Sequence, residues 1–171
     1  MPILPSDVLY YLSGGISNTD PNLSLGGAIS STQFTDDMMH NMFADVTGTE
    51  TTTGSTKYRC IYIKNNHATL TMGAVSFFIN TEASSPDNTI RIGVGTSALN
   101  GVEQTIADEN TAPIGVAFSA PTTAGTGLSI PNIPANETFA LWFQRIVNPS
   151  VSRDYFGNTF VWEINFQSSS V

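Results

Sequence analysis

The chain has 171 residues, of which 40% are hydrophobic and only 12% charged, and its 14 acidic and 6 basic residues leave a formal charge of −8. That length accommodates one domain with a proper core, and the charged share, about half the usual one, favours strands and turns over helices rich in Glu and Lys. Lys57, Arg59, Lys64, Arg91, Arg145 and Arg153 are scattered and form no run, which excludes an interface built on phosphate neutralisation and a basic patch for anionic membranes.

The first stretch, "MPILPSDVLYYL", has no basic n-region and is interrupted by Pro2 and Pro5, so it does not read as a signal peptide. Residues 1–31 read as an extended N-terminal arm ending in a Gly-rich elbow, with a β-sandwich domain over 32–171. Val8, Leu9, Tyr10, Tyr11 and Leu12 need a dry surface. Two readings stand side by side: a strand packed on its own domain, or an arm laid onto a neighbouring subunit. In the second reading the contacts fall to Ile3, Leu4, Val8, Leu9, Tyr10 and Tyr11. The stretch "SGGISNTDPNLSLGG" has no Lys-Ser/Thr after its glycines and opens no helix, so it is turn chemistry rather than a phosphate cradle.

"FTDDMMHNMFADV" is the one helix candidate, with Thr35 as cap, Asp36 and Asp37 in the first turn, and Phe34, Met38 and Met42 four apart. "TGTETTTGST" follows as a loop. From Lys57 onward the chain reads as short strands bounded by Gly, Pro, Asn or Ser: "YRCIYIKN", "LTMGAVSFFIN", "TIRIGVGTS", "VEQTIAD", "IGVAFSA", "GLSIPNI", "ETFALWFQRIV" and "NTFVWEINFQ". The last places Phe160, Trp162, Ile164 and Phe166 on one face and Val161, Glu163 and Asn165 on the other, a strand buried on one side. "ETFALWFQRIV" is apolar on both faces and predicts a central strand. Asn100-Gly101 predicts a hairpin turn between its flanking strands. The expected fold is all-β: an antiparallel β-sandwich, Ig-like or jelly-roll, with the N-terminal arm and one short helix.

Chemistry-bearing motifs are sparse. Gly93, Gly95 and Ala98 match a dinucleotide fingerprint, but "LNGVEQT" would break the helix that the fingerprint needs, so these glycines read as close approach within a strand. His40 and His67 are the two histidines and Cys60 the sole cysteine; no internal disulfide is possible, and the chain reads as made in a cytosol. A Cys60–His67 dyad is conceivable, yet a lone Cys in "RCIYI" is far more often a small core residue. Asp36 and His40 share helical spacing and Asp87, Asp108 and Glu109 lie in loops, but neither set forms a calcium loop or a zinc site. The sequence therefore predicts no catalytic residue, no metal and no cofactor.

Three segments taken in order, "LSGGISNTDPNLSLGGAIS", "YRCIYIKN" and "IPANETFALWFQR", with "NGVEQTIADENTAPIGVAFSAP" between the last two, resemble a group of small virion structural proteins of tailed bacteriophages and prophages. Chief among that group are capsid decoration (cement) proteins; tail-associated adaptor, tube or fibre-base roles also occur. The likeness runs from about Leu12 to Phe166. It implies a non-enzymatic virion component, made in the host cytoplasm, present as a homo-oligomer (trimers above all), whose partner is the major capsid protein or a tail protein of the same virion. A carbohydrate-binding or receptor-binding sandwich is the other expectation, with Trp142, Trp162 or Tyr155 as stacking platforms; Tyr155, in a predicted loop, suits that best.

Overall fold

The computed structural model describes residues 1–35, 40–83, 85–149 and 159–170. Its strands are β1 (Val8–Ser13), β2 (Gly26–Gly27), β3 (Ile29–Gln33), β4 (Ser55–Asn65), β5 (Leu70–Thr81), β6 (Asn88–Val94), β7 (Glu103–Thr105), β8 (Phe118–Ser119), β9 (Leu128–Ser129), β10 (Thr138–Val147) and β11 (Val161–Ser170), with one α-helix, α1 (Gly48–Thr53). They form a six-stranded sheet in the order β3-β1-β4-β10-β6-β8, a three-stranded sheet β11-β5-β9, and a two-stranded ribbon β2-β7. Every pairing between these strands is antiparallel. The two larger sheets pack face to face as an all-β sandwich, the architecture that the strand alternation predicts.

The period-2 pattern of each strand decides which layer receives each side chain. In β10, Phe139, Leu141 and Phe143 point into the space between the sheets and join Ile61 and Ile63 of β4, Ile90 and Ile92 of β6, and Met72, Val75, Phe77 and Ile79 of β5. The alternate residues Ala140 and Trp142 point the other way and meet Tyr58, Cys60 and Tyr62. Both faces of β10 are therefore buried, and it lies between β4 and β6 as its doubly apolar sequence predicts. β11 alternates as its sequence predicts: Phe160, Trp162, Ile164 and Phe166 pack on the inner core, while exposed Glu163 accepts a hydrogen bond from Asn80 Nδ2.

Residues 1–31 are woven into this sandwich. β1 lies between β3 and β4, its register running from Val8 opposite Asn65 to Leu12 opposite Ile61. Of the two readings of this segment, the strand packed on its own domain is the one the structure shows. The Gly-rich stretch connects β1 to β3, so no break in the fold falls at residue 31. Where β1 ends, loop carbonyls take over the edge of β4: Cys60 N donates to Ser24 O at 2.8 Å and Tyr58 N to Glu109 O at 2.8 Å. Two buried amides that would otherwise lack acceptors are thus satisfied.

Two local expectations change. Residues 36–39 of the proposed helix lie outside the described residues, 40–43 form turn and bend, and 44–46 have no regular structure, so none of 40–46 is helical. His40 has φ 59, and Ala44 O accepts from Arg145 Nη1 at 2.6 Å, so the backbone of this stretch serves tertiary contacts instead of a helical ladder. The helix forms in the stretch read as a loop. Thr47 Oγ1 accepts from Glu50 N and Glu50 Oε2 accepts from Thr47 N, a reciprocal capping box that starts α1 despite its Gly and β-branched Thr content. The Asn100-Gly101 turn is present, with Asn100 at φ 55, but its flanking strands do not pair: β6 joins β10 and β8, whereas β7 joins β2.

Candidate interaction surface

The outer face of the six-stranded sheet is covered by a third layer. Leu25, Ile29, Val116 and Phe118 pack on Tyr58, Cys60, Tyr62 and Trp142, with Ile106 buried among them. The layer is made of the Gly-rich connection and the long segment after β6, tied together by the β2–β7 ribbon, in which Gly26 opposes Thr105 and Gly27 opposes Glu103. Tyr62 pins the ribbon to the sheet: its hydroxyl donates to Gly27 O at 2.6 Å and accepts from Glu103 N at 2.9 Å. Burial first, and the nearby Cys60 and Glu103, push the Tyr62 hydroxyl up to about 12, so it stays a neutral donor.

Glu103 is buried beneath the ribbon. Burial pushes its carboxyl up, but donors from Thr96 N at 2.8 Å, Ser97 N at 2.9 Å and Thr96 Oγ1 at 2.8 Å outweigh it and hold the group below its ordinary value. The carboxylate thus satisfies the amides of the turn after β6, a structural use of a buried acid. Gly93 and Gly95, the glycines of the apparent fingerprint, give close approach here: an added Cβ would lie 2.5 Å from Val116 Cγ1 or from Ala140 O.

The Gly-rich connection is ordered by its polar side chains. Asn18 Nδ2 donates to Ser13 O at 2.6 Å, Ser30 Oγ to Asn18 O at 2.5 Å, and Gly26 N to Ser13 Oγ at 3.1 Å. Gly26 has φ 91, and a Cβ there would sit 1.8 Å from Gln104 O. Gly26→Ala is therefore expected to force the ribbon apart, costing at least about 1–3 kcal/mol from the backbone strain alone. A lowered urea midpoint together with new proteolytic cleavage within residues 13–30 is the expected readout; an unchanged midpoint contradicts it.

An open groove of about 420 Å³ runs along this ribbon, walled by Leu23 and the glycines on one side and by Thr105, Ile106 and Ala107 on the other. Leu23, in that wall, is 60% exposed; Ile16 at 75%, Val102 at 69% and Ile114 at 86% are exposed on the same two segments, and the four are among the seven exposed large apolar side chains of the described residues. Gln104 ties down Ile114, whose N and O are both bonded to the Gln104 amide, at 2.7 and 2.8 Å. Exposed Asp20 and Asp108 sit on the two segments that form the layer.

At one end of the sheet's inner face, in phase with Ile61 and Phe143, lies an ionic network. Lys57 Nζ is 3.0 Å from Glu50 Oε1 and 2.8 Å from Glu109 Oε1, Arg145 Nη2 is 3.6 Å from Glu50 Oε1, and Arg59 pairs with Glu109. The Arg59 and Arg145 guanidinium carbons lie 5.4 and 5.0 Å from the centroid of the Phe43 ring. Burial pushes the Glu50 carboxyl up, but hydrogen bonds from the Thr47 backbone, Lys57, Ser55 and the Thr47 hydroxyl win and bring it down to about 2. Glu109 is likewise held below its ordinary value, burial notwithstanding, by Lys57 and Arg59.

The residues singled out in the sequence fall as follows. Ile3 is buried and Leu4 exposed; Val8 and Tyr10 pack on the inner core, Tyr11 packs on the outer one, and Leu9 is half-buried. The six therefore do not form one face. Cys60 is buried in the outer cluster, while His67 Nδ1 accepts from Thr69 N and Leu70 N beyond the far end of β4. Five strand residues, about 16 Å, separate Cys60 from that end, so the dyad does not form. His40 Nδ1 lies 3.3 Å from Asp45 Oδ1, both exposed; Asp36, its predicted helical partner, lies outside the described residues, as does Tyr155. Glu109 is committed to Lys57 and Arg59, and Asp108 Oδ1 accepts from Asn110 N. Among the described residues no three His, Cys, Asp or Glu side chains gather into a metal-binding group. Trp142 is fully buried, and Trp162 packs among Tyr10, Phe34, Phe143 and Phe160.

Sequence reasoning missed Ile16, Leu23, Val102 and Ile114, because single apolar residues in turn-rich stretches carry no periodicity. Comparison with protein-family models, with curated proteins and with solved structures gives no match.

Proposed function

We propose that this chain is a non-enzymatic structural component of a phage virion, a decoration protein that binds the capsid lattice as a homo-oligomer, in the form of a trimer. The supporting observation is where the segments that carry the resemblance lie. The Gly-rich lead-in and "NGVEQTIAD" pair as the β2–β7 ribbon, and both rest on "YRCIYIKN" and "FALWFQR" through Tyr58, Cys60, Tyr62, Ala140 and Trp142. The resemblance thus maps to one contiguous unit of the fold, and that unit carries the exposed Ile16, Leu23, Val102 and Ile114. A rigid oligomer repeating a modest contact gains avidity through effective concentration, which suits clamping of a lattice.

Copy number in density-purified particles, measured by quantitative mass spectrometry against the major capsid protein, tests this. Hundreds of copies are expected. A few copies per particle would move the protein to the tail, and absence from every particle would overturn the reading.

A further inference from the structure

The ionic network holds more cations than its carboxylates neutralise. Lys57, Arg59 and Arg145 face Glu50 and Glu109, and Asp45, the next carboxylate to act on Arg145, is exposed and 3.3 Å from His40. The acceptors are also committed. Glu50 Oε1 takes Ser55 Oγ at 2.8 Å and Lys57 Nζ at 3.0 Å, and Glu50 Oε2 takes Thr47 N. Arg59 donates from Nη1 to Tyr58 O and from Nη2 to Glu109 and to Asn22 Oδ1. Arg145 donates only from Nη1, to Ala44 O. Its Nε and Nη2 are buried without a hydrogen-bond acceptor, Glu50 Oε1 standing 3.6 Å from Nη2, and Arg59 Nε is buried in the same condition.

These unmet donors share one place and one shape. Nε–H and Nη2–H lie along a single edge of the Arg145 guanidinium and point in parallel, the fork that grips two oxygens of a carboxylate or phosphate. Arg59 stands opposite Phe143, and Arg145 two positions beyond Phe143 on β10, so the two arginines are diagonal neighbours on one sheet face. The Phe43 ring lies over both, and their side chains are 1% and 6% exposed. Burial pushes the Arg145 guanidinium down, with Glu50 opposing and Arg59 adding to the push, so an anion beside the pair favours its charged form.

We infer that the Nε–Nη2 edge of Arg145, together with Arg59 Nε, binds a small oxyanion, a phosphate or carboxylate group, beneath Phe43. The anion balances the excess charge and accepts from three donors whose burial without partners is costly. Because Arg145 also holds Ala44 O, the bound anion fixes residues 40–46 against the end of the sheet, and stability rises with its concentration. The site is independent of the virion reading.

Urea unfolding of the full chain in inorganic phosphate and, separately, in acetate, at fixed pH and ionic strength with chloride as the balancing ion, tests this. A saturable rise of the midpoint is expected. Phosphate alone acting assigns the site to phosphate groups, acetate alone to carboxylates, and both to oxyanions in general. Arg145→Lys keeps the charge and removes the fork; its half-saturating concentration is expected to rise about ten-fold or more, the effect of losing one charge-assisted hydrogen bond. Glu50→Gln removes the neighbouring negative charge and keeps an oxygen for Thr47 N; it is expected to start less stable yet to saturate at lower anion concentration. A purely structural role for these residues does not move the two variants in opposite directions. Calorimetric titration of wild type with each anion reads the affinity without unfolding and decides the matter where a variant fails to fold. A rise linear in concentration and equal in wild type and Arg145→Lys, the signature of exclusion from the surface, overturns the site, as does the absence of both heat and rise.

Discussion

Glu50→Ala is expected to destabilise the protein by about 3–5 kcal/mol in urea unfolding, the range for removing one partner of a buried ion pair. The Glu50 side chain is 11% exposed and faces Lys57 at 12% and Arg145 at 6%, so its loss leaves cationic groups in a site that excludes most water. Lys57 retains Glu109 at 2.8 Å, which places the expected cost toward the lower end of that range. Thr47→Ala removes only the hydroxyl that caps α1 and is expected to cost about 1 kcal/mol. Equal losses in the two variants would mean that the cap, not the charge, holds this region.

The same carboxylate sets an acid limb. Its folded value of about 2 lies below the ordinary 4.5, so its contribution is complete above pH 4.5 and is lost as the pH falls through about 2. Glu109 and Glu103 are depressed in the folded state as well and act in the same direction. The wild-type urea midpoint is expected to hold from about pH 7 to the upper end of that window and then drop. In Glu50→Ala the drop becomes shallower; an identical pH profile in the variant would remove Glu50 from this role.

Phe143→Ala is expected to cost about 3–5 kcal/mol through lost transfer energy and the cavity left behind. Phe143 is fully buried on the inner face of β10, in edge contact with Phe77 at 5.6 Å and packed on Trp162 at 5.0 Å between centroids. Those contacts join both sheets, so no single neighbour can collapse into the space. Phe143→Leu, which refills part of it, should recover more than half of the loss. A loss below about 1 kcal/mol for the alanine variant would show that the two sheets can close over the gap.

Legibility in the sequence follows element length. β4, β5, β10 and β11 repeat their alternation often enough to declare both their existence and their buried faces, and the double apolarity of "FALWF" gave β10 its central place. β2, β8 and β9 span two residues each, too few for a period: the stretches of β8 and β9 read as strand-like while their partners stayed hidden, and β2 lay in the stretch read as turn chemistry. α1 was misread because Gly and Thr dominate it, although the Thr47-x-x-Glu50 spacing of its capping box was present. The neighbouring four-apart pattern of Phe34, Met38 and Met42 predicted a helix, because spacing alone does not reveal that the adjacent Phe43 packs beside two guanidinium groups. The ionic network was equally hidden. Glu50, Lys57, Arg59, Glu109 and Arg145 come from distant segments, and only the fold shows that an end of the inner face turns from Ile61 and Leu141 to charged side chains. The candidate surface was not legible, because its apolar points are single residues in turn-rich stretches and carry no period.

The central pairing of the large sheet also governs how the chain reaches its native state. β4 is flanked by β1 and β10, and its longest ladder runs from Lys64 opposite Thr138 to Ser55 opposite Val147, partners roughly seventy to ninety positions apart along the chain. Such a contact cannot form on a ribosome until most of the polypeptide has emerged, and closing so long a loop precedes the reward of pairing. Folding is therefore expected late, after synthesis, on the millisecond-to-second scale of non-local β topologies. Until then the apolar edge of β4 stands open, so the yield of native protein in the producing cell is set by the race between β10 arriving and two unfinished chains meeting.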